Sequence, residues 1–154
     1  MNVGITAEDN RSELSAGSTV TLEITAYGSE GQGIARHNGM AVFVPGAICG
    51  ETVEAEIKKA APSFAEAKLQ KILRPSAERV IPPCPHYAEC GGCDILHMSY
   101  AEQLRMKRET VRSAMERIGG FRGIEILPCI GADKPEHYRN KAVFQFANAE
   151  KTNK

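Results

Sequence analysis

Five short stretches of alternating apolar and polar residues between positions 16 and 74 constrain the fold of this chain more than any other feature. In the first, Val20, Leu22 and Ile24 alternate with polar residues, which is the two-residue period of a half-buried strand. Glycine-containing turns separate the stretches, and short strands spaced in this way are typical of a small closed barrel. The sequence predicts an OB-like barrel whose five strands cover residues 19–25, 34–36, 40–44, 53–58 and 65–70.

The segment Gly31-Gln32-Gly33 has the glycine spacing of a phosphate-binding loop. A phosphate loop of that kind opens a helix, and no helical pattern follows here. We therefore interpret these glycines as part of the turn between the first two strands, where glycine supplies backbone angles that other residues avoid.

Three cysteines follow the barrel stretch with the spacing C-x5-C-x2-C, at Cys84, Cys90 and Cys93. Gly91 and Gly92 leave the backbone between the last two free to turn both thiols towards one centre. Three thiols so close together indicate a metal ion, an iron–sulfur cluster or disulfide bonds. The odd total of five cysteines and the absence of an export signal disfavour a disulfide framework.

The spacing alone leaves two metal centres open. Zinc takes four ligands, and His97 completes a Cys3His set with the three thiols, with His86 as a second candidate. An iron–sulfur cluster normally takes four thiolates. Cys49 and Cys129 are interpreted as structural, because isolated cysteines are most often small buried apolar residues. Spacing by itself favours zinc.

A helix is predicted after the cysteines, beginning with the capping box of Ser99 and Glu102 and ending at Gly119-Gly120. Its apolar face is predicted to contain Leu104, Val111, Met115 and Ile118. A row of arginines occupies another face, and it is either a solvated face interleaved with glutamates or a ridge that contacts phosphates. The row consists of Arg105, Arg108 and Arg112.

The whole chain is predicted to be mainly β with some α. Residues 1–15 are expected to be a disordered leader, residues 16–74 the barrel, and residues 75–154 an incomplete α+β domain with the cysteine segment, one helix and late strands at 124–127 and 137–146. Two late strands without further partners do not make a stable sheet, so the chain looks cut short.

Charge and hydropathy exclude some classes of function. The chain has 19 basic and 19 acidic residues, so bulk charge predicts no partner. No apolar run is long enough to span a bilayer, and the N-terminus lacks the features of a signal peptide. A cytoplasmic monomer is expected, with neither membrane nor DNA as a partner.

Several of these motifs together resemble one known family. The run Val80–Tyr87, the Cys90-Gly91-Gly92-Cys93 turn, Arg117-Ile118-Gly119-Gly120 and Tyr138-Arg139-Asn140-Lys141 resemble the RNA (uracil-5-)-methyltransferases. Residues 31–35 and 42–47 resemble the TRAM domain that opens many of its members. The resemblance extends from about residue 16 to residue 146.

The resemblance implies a three-part enzyme. A TRAM barrel binds RNA, a central domain holds a four-iron, four-sulfur cluster, and a Rossmann-like domain uses S-adenosylmethionine to methylate C5 of a uridine. By this resemblance Cys84, Cys90 and Cys93 are cluster ligands. Because it has both the barrel and the cysteines, the chain resembles the branch of the family that acts on 23S ribosomal RNA.

The sequence also departs from the family. It has no glycine-rich cofactor loop, so no catalytic and no S-adenosylmethionine-binding residue is assigned, and the family's fourth cluster cysteine has no match. We expect an N-terminal portion that is inactive alone, with a free-standing RNA-binding module stapled by zinc or a cluster as the alternative. The expected RNA contacts are Arg36, Lys68, Arg105, Arg108, Arg112, Arg139 and Lys141.

Overall fold

Five strands close into a barrel in the computed structural model, which describes residues 14–138, 140 and 141. The order around the barrel is β1-β2-β3-β5-β4, with β4 pairing back to β1. β3 and β5 run parallel, and the other neighbouring pairs are antiparallel. The predicted five-stranded barrel is confirmed. The strands are β1 (Thr19–Tyr27), β2 (Gly33–His37), β3 (Met40–Val44), β4 (Thr52–Ala60) and β5 (Phe64–Arg74).

Alternation along the strands places one set of side chains in the barrel interior. Leu22 and Ile24 of β1 are 2% and 1% exposed, whereas the residues between and beside them face solvent. Burying a side chain of this size stabilises the fold by about 1.5–3 kcal/mol. The interior also contains Ala35, Val42, Val44, Ala47, Val53, Ala55, Ile57, Ala65 and Ala67.

Two turns show why glycine is needed between the first strands. Asn38 and Gly39 both have positive φ, 48° and 83°, which is the backbone of the tight hairpin between β2 and β3. Gly31 also has positive φ, 84°, and a Cβ there would lie 2.6 Å from Cγ2 of Ile95. The glycines at 31–33 therefore belong to a turn between β1 and β2, as predicted, and Gly31 lets that turn approach the cysteine segment closely.

Two helices follow the barrel, α1 (Tyr87–Cys90) and α2 (Tyr100–Arg117). The Ser99 hydroxyl caps α2 by accepting a hydrogen bond from the Glu102 N–H at 3.2 Å. The second hydrogen bond of the predicted capping box, from the Ser99 N–H to the Glu102 carboxylate, does not form. The Ser99 N–H donates to the Glu78 carbonyl instead, and the Glu102 carboxylate bonds to Tyr27 and Arg105. Neither helix, within the part of the chain that the structure describes, is long and apolar enough to cross a membrane.

The predicted apolar residues of α2 lie on one face of the helix, but that face is not the side that packs on the barrel. Glu102 and Met106 are the buried residues of the helix, whereas Val111 and Ile118 are 51% and 88% exposed. Met106 packs with Ile48 and Met98 in a small second cluster beside the barrel, with Tyr27 and Ile95 at its edge. The helix turns this side to the barrel because Glu102 finds hydrogen-bond partners there, which an apolar pattern does not reveal.

The prediction of a late strand at residues 124–127 is wrong, because that stretch is irregular. A strand needs a neighbour to accept and donate ladder hydrogen bonds, and among the described residues this stretch pairs with none. The Ile126 carbonyl accepts a hydrogen bond from Nε of Arg108 at 2.7 Å instead. The leader at 1–15 and the strand at 137–146 lie largely outside the described residues.

Candidate functional site

The three cysteines of the motif lie on one exposed loop whose ends meet. Arg79 and Met98 form an isolated antiparallel bridge, and the Val80 N–H donates to the His97 carbonyl at 3.0 Å. Residues 81–96, called here the cysteine loop, are thus closed at their base by this pairing. The paired residues, Arg79 and Val80 with His97 and Met98, are called the neck of the loop. Within the loop, α1 makes one turn and ends at Gly91, which has the left-handed φ of 65°.

The thiols of the cysteine loop are free and exposed. Cys84, Cys90 and Cys93 all face solvent. They are of the right chemical type for a zinc ion or a cluster, but among the described residues no three or more His, Cys, Asp or Glu side chains are gathered to hold a metal. The donor set that the resemblance implies is therefore not assembled in this conformation, and three thiols are one ligand short of a cluster set.

His97, the fourth ligand considered for zinc, is buried at the neck of the loop. Its Nδ1 lies 2.5 Å from the Tyr87 hydroxyl, and that hydroxyl also donates to the Asp94 carbonyl at 2.9 Å. Because a carbonyl only accepts, the Tyr87 proton points to Asp94, and Nδ1–H of His97 donates to Tyr87. Burial, together with the positive charge of Arg79, lowers the pKa of His97 to about 4. The ring is thus neutral and belongs to the packed neck.

A buried ion pair fixes this neck to the barrel. The Glu51 side chain is fully buried and accepts hydrogen bonds from Nε and Nη2 of Arg79 at 2.6 and 2.8 Å. It also accepts from the N–H groups of Ile48 and Ser76. Burial raises the pKa of Glu51, but the bonds from Arg79 and Ile48 outweigh it and hold the pKa below its ordinary value. The cysteine loop is therefore held by a charged anchor with satisfied oxygens.

A second polar network joins β1 to the start of α2. The Tyr27 hydroxyl donates to Glu102 and accepts from the Cys49 N–H at 3.0 Å. Arg105 binds the same carboxylate with two nitrogens, at 2.6 and 2.5 Å, and its guanidinium lies 5.8 Å from the centre of the Tyr27 ring. Burial and the Glu102 carboxylate raise the pKa of Tyr27, so its proton is retained for this bond.

The three arginines of the row on α2 each have a different hydrogen-bond or ion-pair partner. Arg105 is in the network with Glu102, Arg108 binds the Ile126 carbonyl, and Arg112 lies 3.7 Å from Glu109 in an exposed pair. On the barrel, Nη1 of Arg36 donates to the Gly39 carbonyl across the hairpin turn at 2.9 Å. These contacts leave the prediction of RNA contacts untested, but they show that Arg105 and Arg108 also have structural partners.

The remaining predicted contacts lie apart. Lys68 faces outward from β5, Lys141 is exposed, and Arg139 lies outside the described residues. Lys68 borders a groove of about 790 Å³ on the outer face of the barrel. That groove also contains two aromatic rings that the sequence analysis did not single out, Phe43 and Phe64. Their outward position could have been derived from the alternation of β3 and β5, because Phe43 stands between buried Val42 and Val44, and Phe64 directly precedes buried Ala65.

The sequence of the barrel matches a known domain. Residues 13–70 match the model of the TRAM domain. The N-terminal barrel is thus a TRAM domain, as the resemblance implied.

The chain is also similar in sequence to longer proteins. The chain is 48% identical over 124 residues to an uncharacterized RNA methyltransferase of Clostridium tetani, covering 80% of this chain and 27% of that protein. It is 41% identical over 143 residues to one of Halalkalibacterium halodurans, covering 92% of this chain and 31% of that protein. The chain is therefore related by sequence to the RNA methyltransferases, and it spans less than a third of the length of these relatives.

A solved structure is also similar. The tRNA (uracil-54, C5)-methyltransferase of Pyrococcus abyssi, in complex with S-adenosyl-L-homocysteine, is 26% identical to this chain. The likeness covers 66% of this chain and 21% of that one, with a TM-score of 0.43, which is too low to bear on the fold.

Proposed function

We propose that this chain is the RNA-binding and cysteine-bearing part of an S-adenosylmethionine-dependent RNA (uracil-5-)-methyltransferase acting on 23S ribosomal RNA. The observation that most supports this proposal is the sequence similarity to an RNA methyltransferase over 92% of the chain, which includes both the TRAM barrel and the cysteine loop. The anchor between Glu51 and Arg79 supports one functional unit, because it fixes the loop to the barrel. The chain acts as a monomer in the cytoplasm.

RNA binding by the full chain is the first test. A fluorescently labelled hairpin from 23S ribosomal RNA is titrated with the chain at several salt concentrations, with a DNA duplex of equal length as the control. We expect weak binding of the RNA that falls with salt, with a slope of about 0.7–0.9 per phosphate contact. Equal binding of RNA and DNA, or no binding of the RNA, contradicts the proposal.

The cysteine loop is proposed to hold an iron–sulfur cluster through Cys84, Cys90 and Cys93. Their exposure on one loop with Gly91 and Gly92 supports this, because the thiols are accessible and the backbone between them turns freely. Binding requires the loop to close around the cluster, and a fourth ligand from elsewhere. A cluster held by only three protein thiolates is expected to be labile in oxygen.

Metal content distinguishes a cluster from zinc. After anaerobic reconstitution we expect iron and sulfide in brown protein, and their loss in a C90S variant. C129S is the matched control, since Cys129 lies outside the loop. Colourless protein with one zinc per chain and no cluster after reconstitution favours the zinc alternative.

Methyl transfer is proposed to require the remainder of the enzyme, because the chain spans only 27–31% of its relatives' length. Labelled S-adenosylmethionine and unmodified ribosomal RNA should yield no labelled uridine with this chain alone. Label on uridine C5 contradicts this division of roles.

A further inference from the structure

The outer face of the barrel carries a groove between β4, β5 and β3 that is apolar at its floor. Phe43 of β3 and Phe64 of β5 meet there edge to face, with ring centres 6.0 Å apart. Leu69 and Pro45 extend the apolar lining. We call this feature, with its floor of Phe43, Pro45, Phe64 and Leu69, the aromatic groove. Its volume of about 790 Å³ is in the range of sites that take small organic groups.

Lysines of β4 and β5 border the aromatic groove. Lys58 projects from β4 and Lys68 from β5, and Nζ of Lys59 lies 5.9 Å from the centre of the Phe64 ring. Both Lys58 and Lys59 are about half exposed or more, at 49% and 63%. Flexible ammonium groups beside an apolar floor suit a ligand that is flat and apolar at its centre and anionic at its edge.

The acidic residues of the groove already have partners. Glu30 accepts a hydrogen bond from the Gln32 amide at 2.6 Å, and Glu66 lies 3.9 Å from Lys59. Lys58 is paired as well, since its Nζ donates to Oε1 of Glu56 at 2.6 Å. Lys68, in contrast, is in no salt bridge among residues 14–138, 140 and 141. Among the lysines at the groove, Lys68 is therefore the one whose charge is left for a ligand, and it lies next to the aromatic floor.

We propose that the aromatic groove binds an unpaired nucleotide of RNA, with its base against Phe43 and Phe64 and its phosphate near Lys68. This rests on the proposed RNA-binding function and adds the form of RNA that the barrel selects. A base can stack on a protein ring only when its own faces are free, which holds in single strands, loops and bulges and fails inside a duplex. The groove thus selects single-stranded over double-stranded RNA.

The test compares a labelled single-stranded oligouridylate with an RNA duplex of equal length, using the full chain. The parent is expected to bind the single strand more tightly, and F43L and F64L each to weaken that binding about fivefold or more. F121L is the matched control, because Phe121 is 54% exposed and lies outside the barrel. K68Q, compared with K71Q on the same strand, tests the phosphate contact.

A second measurement needs no variant, in case the leucine substitutions disturb the barrel. An oligonucleotide that carries 2-aminopurine at one position should change its fluorescence on binding the parent, since stacking on a ring quenches it. Two results together refute base stacking in the aromatic groove while leaving RNA binding intact. The first is that the parent binds the RNA with no fluorescence change, and the second is that F43L, F64L and F121L bind it equally well. Tighter binding of the duplex also refutes base stacking in the groove. No RNA binding by the parent overturns both proposals.

Discussion

The buried pair of Glu51 and Arg79 gives the sharpest prediction about stability. R79M removes the guanidinium that binds both oxygens of a fully buried carboxylate, while it keeps an unbranched apolar side chain in place of the arginine stem. Two of the four hydrogen bonds to Glu51 remain, those from the Ile48 and Ser76 N–H groups. Breaking a buried pair in this way costs about 3–5 kcal/mol, because a charge is left without its partner.

A matched control is available on the barrel surface. Arg74 pairs with Glu23 at 3.5 Å, and both side chains are about two-thirds exposed. R74M is expected to change the free energy of unfolding by only about 0–1 kcal/mol, since water screens that pair. The assay is urea unfolding at neutral pH, followed by circular dichroism.

The pH dependence and a double variant separate charge from packing. In the parent, the pKa of Glu51 lies below its ordinary value, so the pair's contribution is present above the unfolded pKa and is lost as pH falls through the folded pKa. Without Arg79, burial raises the pKa of Glu51. The difference in the free energy of unfolding between the parent and R79M should therefore become smaller at acidic pH. E51Q/R79M should be more stable than R79M, because it removes the buried charge that has lost its partner. The single amide oxygen of the glutamine replaces only one of the two carboxylate oxygens, so it accepts from the Ile48 or the Ser76 N–H but not from both. Equal losses in R79M and R74M at neutral pH would refute the reasoning.

Three further predictions follow from the other contacts. The pKa of His97 is about 4, below its ordinary value of 6.5, so the parent should lose about 2 kcal/mol more stability than H97Q between pH 7.5 and pH 5, as measured by urea unfolding. Y27F should lower the free energy of unfolding by about 1–3 kcal/mol, because it leaves buried Glu102 with one donor fewer, and an unchanged urea midpoint would contradict this. In RNA titrations R112A should flatten the salt dependence, whereas R105A should chiefly lower the urea midpoint, because Arg105 pairs with Glu102; the opposite pattern would make Arg105 the phosphate contact.

Local patterns in the sequence were enough to predict the five barrel strands, the turns between them and the ends of α2. Alternation at Val20, Leu22 and Ile24 marks β1, and Ser99 marks the start of α2, because period and capping depend only on residues close in the chain. The cysteine spacing similarly identified the loop that carries Cys84, Cys90 and Cys93. In each case the cause and its effect lie within a few residues of each other.

The tertiary structure decided what those elements contact. Glu51 and Arg79 are 28 residues apart, and Tyr27 and Glu102 are 75 apart, so no local pattern indicates that each pair is buried together. The same long-range contacts turned Glu102 and Met106 of α2 towards the barrel and placed His97 inside the neck of the cysteine loop. They also placed Phe43 beside Phe64, through the parallel pairing of β3 with β5. Periodicity specifies which side of each barrel strand is buried, but only the closed fold specifies its neighbour, and for α2 the tertiary contacts also decided which side is buried.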